Sequence, residues 1–281
     1  MDFQRFAEDK TLAAEQAVIP PLVTIEDRSD RFPLRRIGIA WTRRRFDGDF
    51  YLFEPPGDRP AMSLVFVQSR DGNTVVPDPA TLGGGPVDFH LIYEGLSRVV
   101  ADAVLAGAAT VGRKVFFSVW HPEIVTLRLA LGLPRHPAQV VVSGQGNVNI
   151  DTSLLFNVPK VPVFLLIGAE GLRRVERALR DRPWITVIPL ADGGLGQAFQ
   201  RLRLEHGLRR LSVVGGRTIA TALLDAGLIH DLCLTTSAID GGRPNTPFYA
   251  GERPPRLDLI VRKRGTGESA LTFEQFAVAN V

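Results

Sequence analysis

The 281-residue chain contains one cysteine, Cys233, set in the apolar run Leu232-Cys233-Leu234. A lone cysteine makes neither an intrachain disulfide nor a multi-thiolate metal site, and this one reads as a small buried hydrophobe. No apolar run approaches a membrane span; Val161 to Ala169 is only strand-sized and contains Pro162. The amino terminus has an acid at Asp2 and no apolar stretch, so no signal peptide is visible and the expected compartment is the cytoplasm. His-Glu-x-x-His, Cys-x-x-Cys, Walker A and Gly-x-Ser-x-Gly patterns are all missing, and the five histidines do not cluster. A metal site or a hydrolytic triad is therefore not expected. The dinucleotide fingerprint of Rossmann domains is missing too, because Gly144-Gln145-Gly146 runs into Asn147-Val148-Asn149. The net charge of +3 comes from short arginine clusters such as Arg43-Arg44-Arg45 and Arg209-Arg210, spread along the chain. They form no continuous basic stripe, so nucleic acid is not the expected partner.

With 45% apolar and 22% charged residues, the chain has the balance of a globular protein long enough for one large domain or two modest ones. Residues 1–59 differ from the rest in their proline pairs and dense charge. Their one convincing ordered piece alternates through Ile37, Ile39 and Trp41 and resumes at Phe50 and Leu52 after Asp47-Gly48, a hairpin signal. They are expected to form an extension packed on a main domain at 60–281 or on a partner subunit. In that domain strands alternate with helices. Strands are expected at Ser63–Val67, Ala103–Ala106, Val140–Val142, Val163–Ile167, Ile185–Ile188 and Leu211–Val214. Helices are expected at 87–100, 123–131, 170–179 and 195–204, and from Gly216 through Leu224. Leu228–Thr235, Leu257–Arg264 and Ala270–Phe276 close the chain as strands, the last two pairing antiparallel at an edge. The pattern predicts an α/β fold with a mostly parallel sheet covered on both faces.

Three strand ends carry candidate chemistry. The strongest is Val213-Val214-Gly215-Gly216-Arg217-Thr218, where an apolar strand meets a glycine pair and a helix begins at once. Bare glycines let a phosphate approach the backbone, and the first-turn amides make an anion site; a plain tight strand-to-helix turn is the competing reading. At the second, Gly107-Ala108-Ala109-Thr110 is followed by Arg113-Lys114; the third is Val142-Ser143-Gly144. In open α/β sheets ligands gather at such carboxyl ends.

Taken in order, Ser69-Arg70-Asp71-Gly72, Asp102 to Val111, Val140 to Ser143, Val214-Gly215-Gly216-Arg217-Thr218 and Gly227 to Leu232 resemble the reductase domain of the riboflavin-pathway deaminase-reductases. That domain belongs to the dihydrofolate-reductase-like superfamily, and the resemblance spans about residues 59–281. It implies a three-layer α/β/α sandwich with an antiparallel edge to its sheet, a homodimer, and NADPH-dependent reduction of a ribosylated aminopyrimidine phosphate to its ribityl form. By the same resemblance Thr110 and Ser143 contact NADPH, Gly107 shapes the bend, and Gly215, Gly216, Arg217 and Thr218 take its phosphates. Ser69 and Asp71 lie beside substrate and nicotinamide, and Arg98 faces the substrate phosphate.

The chain departs from the family pattern at Arg70 (commonly leucine), at Val214 (commonly glutamate) and at Arg113-Lys114 (often an aspartate pair). Val214-Gly215-Gly216 and Leu133-Pro134-Arg135 look instead like dihydrofolate reductase itself. Two alternatives follow. One is a reductase of the same fold acting on a pterin or another small imine or carbonyl, with Asp88 or Glu94 meeting the heterocycle. The other is a non-catalytic nucleotide-binding protein, a reading that rests on Val214. Either Arg113 or Lys114 is expected near the cofactor 2′-phosphate. Asp71 is the one candidate proton donor, against a turn aspartate that only caps its own loop, and the role is left unassigned.

Overall fold

The structure is a computed structural model that describes residues 2–74, 82–190, 194–241, 246–266 and 271–279. The central strands are β4 (Ala61–Gln68), β5 (Ala103–Gly107), β6 (Ala138–Ser143), β7 (Val163–Ile167), β8 (Ile185–Pro189), β9 (Arg210–Val214) and β10 (Asp231–Thr236). They pair in parallel in the order β10-β4-β9-β5-β6-β7-β8. β11 (Arg256–Gly265) and β12 (Thr272–Ala279) add the antiparallel edge, with β12 against β10. Ala270, the expected start of that last strand, lies outside the described residues.

Alternation along the strands sorts their side chains into two cores. Val104, Val141, Leu165 and Ile167 enter one, while Leu64, Leu105, Val140 and Leu166 enter the other. The first core is closed by α1 (Phe3–Glu15), a π-helix (Val87–Leu96), α3 (Pro122–Ala130) and α4 (Ala169–Leu179). The second is closed by α5 (Gly194–Leu204) and α6 (Arg217–Asp225). Helices on both faces explain why β7 is apolar at every position and wholly buried. The predicted α/β/α layering and antiparallel edge are thus observed.

Three features were not predicted. Two are α1 and β1 (Leu22–Asp27); β1 pairs antiparallel with β11 and forms the outer strand of the sheet. Lys263, buried on β11, fixes the seam by donating to Thr24 Oγ1 (2.8 Å) and to the Asp47 carbonyl (3.0 Å). Burial lowers the lysine to a pKa of about 8. The third is at the expected hairpin. Its pairing exists between β2 (Leu34–Ile37) and β3 (Phe50–Phe53), but α2 (Ala40–Phe46) occupies the connection and takes Trp41 with it. Thr42 accepts the Ile39 N–H at 2.8 Å, and Arg43, Arg44 and Arg45 sit in the last turn, where cations suit the helix dipole. Asp47 ends α2 in the left-handed conformation, so Asp-Gly serves as a helix stop.

Candidate active site

A cavity of about 960 Å³ opens at the carboxyl ends of β4 and β9. Val65, Phe66 and Val67 of β4 and Val214 of β9 form its floor. One wall is the π-helix, through Asp88, Phe89, His90 and Tyr93, together with Gly84, Gly85 and Pro86 ahead of it. Another is the end of α1, through Ala13, with Gln16 and Ala17 just past it, and the far end is Thr110 with Gly215, Gly216 and Arg217.

The far end is built by the local sequence. Gly215 packs so tightly that an added Cβ would lie 2.5 Å from Ile219 Cγ2, whereas a Cβ on Gly216 would meet nothing within 4 Å. Gly216 is the N-cap of α6 and has no side chain to cap the first turn of the helix. The start of α4 is different. Its N-cap Gly168 and its Gly171 lie against the loop Gly144 to Gly146, where any Cβ would come within 2.5 Å of backbone. That helix terminus is filled by protein.

Four of the sequence candidates therefore line the cavity: Thr110, Gly215, Gly216 and Arg217. Gly107 sits behind them, with its N–H 3.6 Å from where a Gly215 Cβ would be. Thr218 is exposed on the first turn of α6, and Ser143 is buried at the end of β6. Ser69, Asp71 and Arg98 lie outside the lining. The Ser69 hydroxyl is buried and bonded to Asp71, and it also reaches the carbonyls of Asn73 (3.2 Å) and Gly241 (3.0 Å). Asp71 is exposed; the Ser69 hydroxyl, outweighing a small desolvation penalty, holds its carboxyl below the usual value, with further bonds from Gly241 and Asn73. Its loop carries Thr74, which does line the cavity. Arg98 is buried, donates to the Ser118 carbonyl at 2.6 Å and lies over the Tyr93 ring at 4.3 Å. Arg113 and Lys114 are exposed beyond Thr110.

The π-helix contributes polar groups that 3.6-residue spacing does not align. Asp88 has a carboxyl oxygen, Oδ1, buried without a partner, and desolvation raises its pKa to about 6. The Tyr93 hydroxyl is likewise pushed up by burial. Glu94, the other carboxylate considered on this helix, does not line the cavity: it is fully buried and engaged by His90 and by the amides of Trp120 and His121. His121 is lowered to about 4 by desolvation, with neighbouring cations adding to the effect. Gln16, His90 and Tyr93 are lining residues that sequence reading missed. The Gly83-Gly84-Gly85-Pro86 run was a signal, because a Cβ on Gly84 would strike Asp88 at 2.8 Å. Among the described residues no carboxylate, histidine or cysteine cluster is arranged for a metal ion, and no helix is long and apolar enough to cross a membrane.

Comparison with known proteins places this architecture. The model of one family, the RibD C-terminal domain, matches residues 68–264. No curated protein matches the chain. Among solved structures the chain is similar to a pyrimidine reductase-like protein of Corynebacterium diphtheriae, at 20% identity and a TM-score of 0.63, over 80% of this chain and 94% of that one. It is similar to the riboflavin biosynthesis reductase of Saccharomyces cerevisiae at 17% identity and a TM-score of 0.52, over 80% and 92% of the two chains. Acinetobacter baumannii RibD gives 14% and 0.57, over 79% of this chain, which spans 58% of that protein. The shared fold is the dihydrofolate-reductase-like one expected from the sequence.

Proposed function

Because the chain belongs to the RibD C-terminal domain family, we propose that it is a reductase of the riboflavin-pathway type, using NADPH to convert a ribosylaminopyrimidine phosphate to its ribityl form. The observation that carries this reading is the start of α6: an N-cap glycine with open space beside it, lining the same cavity as Thr110 and Arg217. These residues fit a dinucleotide phosphate, since the glycine leaves room for an oxygen and the helix dipole favours negative charge. The bound cofactor would supply the hydride.

Gly215 to Thr218 hold the phosphates and Thr110 the adjoining ribose. Ser143 and the exposed Arg113 and Lys114 lie toward the adenosine end, with one cation taking the 2′-phosphate. The apolar floor and the walls from α1 and the π-helix exclude water and orient the substrate. Asp88 faces the heterocycle as a hydrogen-bonding acid, which also suits a pterin; its unpartnered oxygen is what favours that second reading. Ser69 and Asp71 brace the loop that carries Thr74, and Arg98 braces Tyr93. The working form is a homodimer, to be checked by size-exclusion chromatography.

The test is to follow absorbance of the reduced cofactor with candidate ribosylaminopyrimidine phosphates and with dihydrofolate. Oxidation with the pyrimidine, and preference for NADPH over NADH, is the expected result. Oxidation only with dihydrofolate would favour the pterin reading. Nucleotide binding with no turnover on any substrate would make Val214, in place of the family's glutamate, the mark of a non-catalytic protein.

A further inference from the structure

His90 is the imidazole in the cavity wall. Its Nδ1 lies 3.1 Å from Glu94 Oε2, one helical turn away. The same oxygen already accepts main-chain N–H bonds from Trp120 (3.0 Å) and His121 (3.2 Å), on the segment entering α3. An oxygen taking two amide donors presents lone pairs to its third neighbour, so the proton of that contact sits on His90 Nδ1. Nε2 makes no hydrogen bond among the described residues, and His90 is one of the residues that line the cavity. The ring is held edge-on by Phe89 at 5.0 Å and tilted against His121 at 5.4 Å. A buried carboxylate orienting one imidazole nitrogen, with the other unbonded in a residue that lines a cavity, is an arrangement suited to a working acid or base.

We propose that His90 is the proton donor of the reduction and that Glu94 is its positioning residue, a step that rests on the reductase reading above. The ribosylamine first opens to an imine: its ring C–O bond breaks, the amine N–H proton passes to the ring oxygen and a C=N forms. As hydride then reaches the imine carbon, the π bond breaks and its electron pair moves to nitrogen. The Nε2–H of protonated His90 passes its proton to that nitrogen, and His90 is left neutral. Two electrons and one proton come from a reduced nicotinamide as hydride, one proton comes from His90, and solvent restores the imidazolium. The groups around His90 are Asp88, Tyr93 and Glu94 on its own helix, His121 at the cap ahead of α3, Lys10 of α1 over the Phe89 ring, and Arg217 in the same cavity lining. Arg135 and Arg45 act at longer range on Glu94 and His121. His121 is held neutral near pH 7 and does not compete for the proton.

The experiment has two arms. Long-range proton–nitrogen NMR of the nucleotide-free protein is expected to show His90 as the Nδ1–H tautomer, with that preference weakened in Glu94→Gln. In turnover assays His90→Gln is expected to lower kcat by roughly 10²-fold or more, leaving NADPH affinity by fluorescence within twofold. The dependence of kcat on pH should differ from that of the wild type in both variants. A bare Nδ1 in the wild type overturns the proposal whether or not a substrate is in hand. So does turnover by a folded His90→Gln protein at the wild-type rate. Failure of the wild type to bind any nicotinamide nucleotide overturns the underlying reductase reading instead. If His90→Gln does not fold, the tautomer and the Glu94→Gln profile decide.

Discussion

Asp88 shows how much a single side chain can reveal here. Its folded pKa of about 6 lies above the ordinary 3.8 because burial penalises the charge. The native state therefore holds the proton more tightly than the unfolded chain does. This stability is fully present below pH 3.8 and is lost as pH rises through 6. Asp88→Asn should flatten that loss and stabilise the protein at pH 7 by up to about 3 kcal/mol, read from urea unfolding at pH 4 and pH 7. Equal dependence on pH in both proteins would refute the assignment. A second test sits at the glycine pair. Gly215→Ala places a methyl 2.5 Å from Ile219 Cγ2 and should cost about 1–3 kcal/mol, while Gly216→Ala, with open space around it, should cost far less. Gly215 and Gly216 were legible because an apolar strand running into paired glycines has few local solutions. Arg128 was not. It is buried and caps the carbonyls of Arg98, Val99 and Ala101 through NH1, partners brought together only by tertiary packing.

At the level of elements, the βα alternation from β4 to β10 was readable because each strand is a short apolar run and α4, α5 and α6 are amphipathic. The π-helix was readable as a helix and misread in its faces. Its wider turn, seen in the Ser97 N–H bonding to Ile92 five residues back, brings Asp88, Phe89, His90 and Tyr93 to one cavity. β1 escaped notice because its partner, β11, is more than 230 residues away and its own alternation is short. α1 did carry a signal: Asp2 as N-cap, accepting from the Gln4 N–H, and apolar residues at Phe3, Phe6 and Ala7. That helix lies outside the matched family segment yet walls the cavity. Ala17→Leu should narrow the cavity, raising KM several-fold with the melting temperature changed by only a few degrees. An unchanged KM would remove the segment just past α1 from substrate recognition.

On the scale of the molecule, a ten-stranded sheet separates two cores, and the cavity sits where the strands end beneath α1 and the π-helix. Of the two glycine-rich helix starts, α4 is filled by its neighbouring loop and α6 is open. The account therefore hangs on a nicotinamide dinucleotide bound with its phosphates at α6. The most direct measurement is fluorescence titration of NADPH into the wild type and Gly216→Asp. Aspartate is a good N-cap and its Cβ meets no neighbour, so the variant should fold at least as well as the wild type, by a few tenths of a kcal/mol. It would also set a carboxylate where the phosphate belongs. The account predicts saturable binding to the wild type and affinity at least roughly tenfold weaker in the variant, about 1.4 kcal/mol. Equal affinity in the two proteins, or no uptake by the wild type, would contradict it.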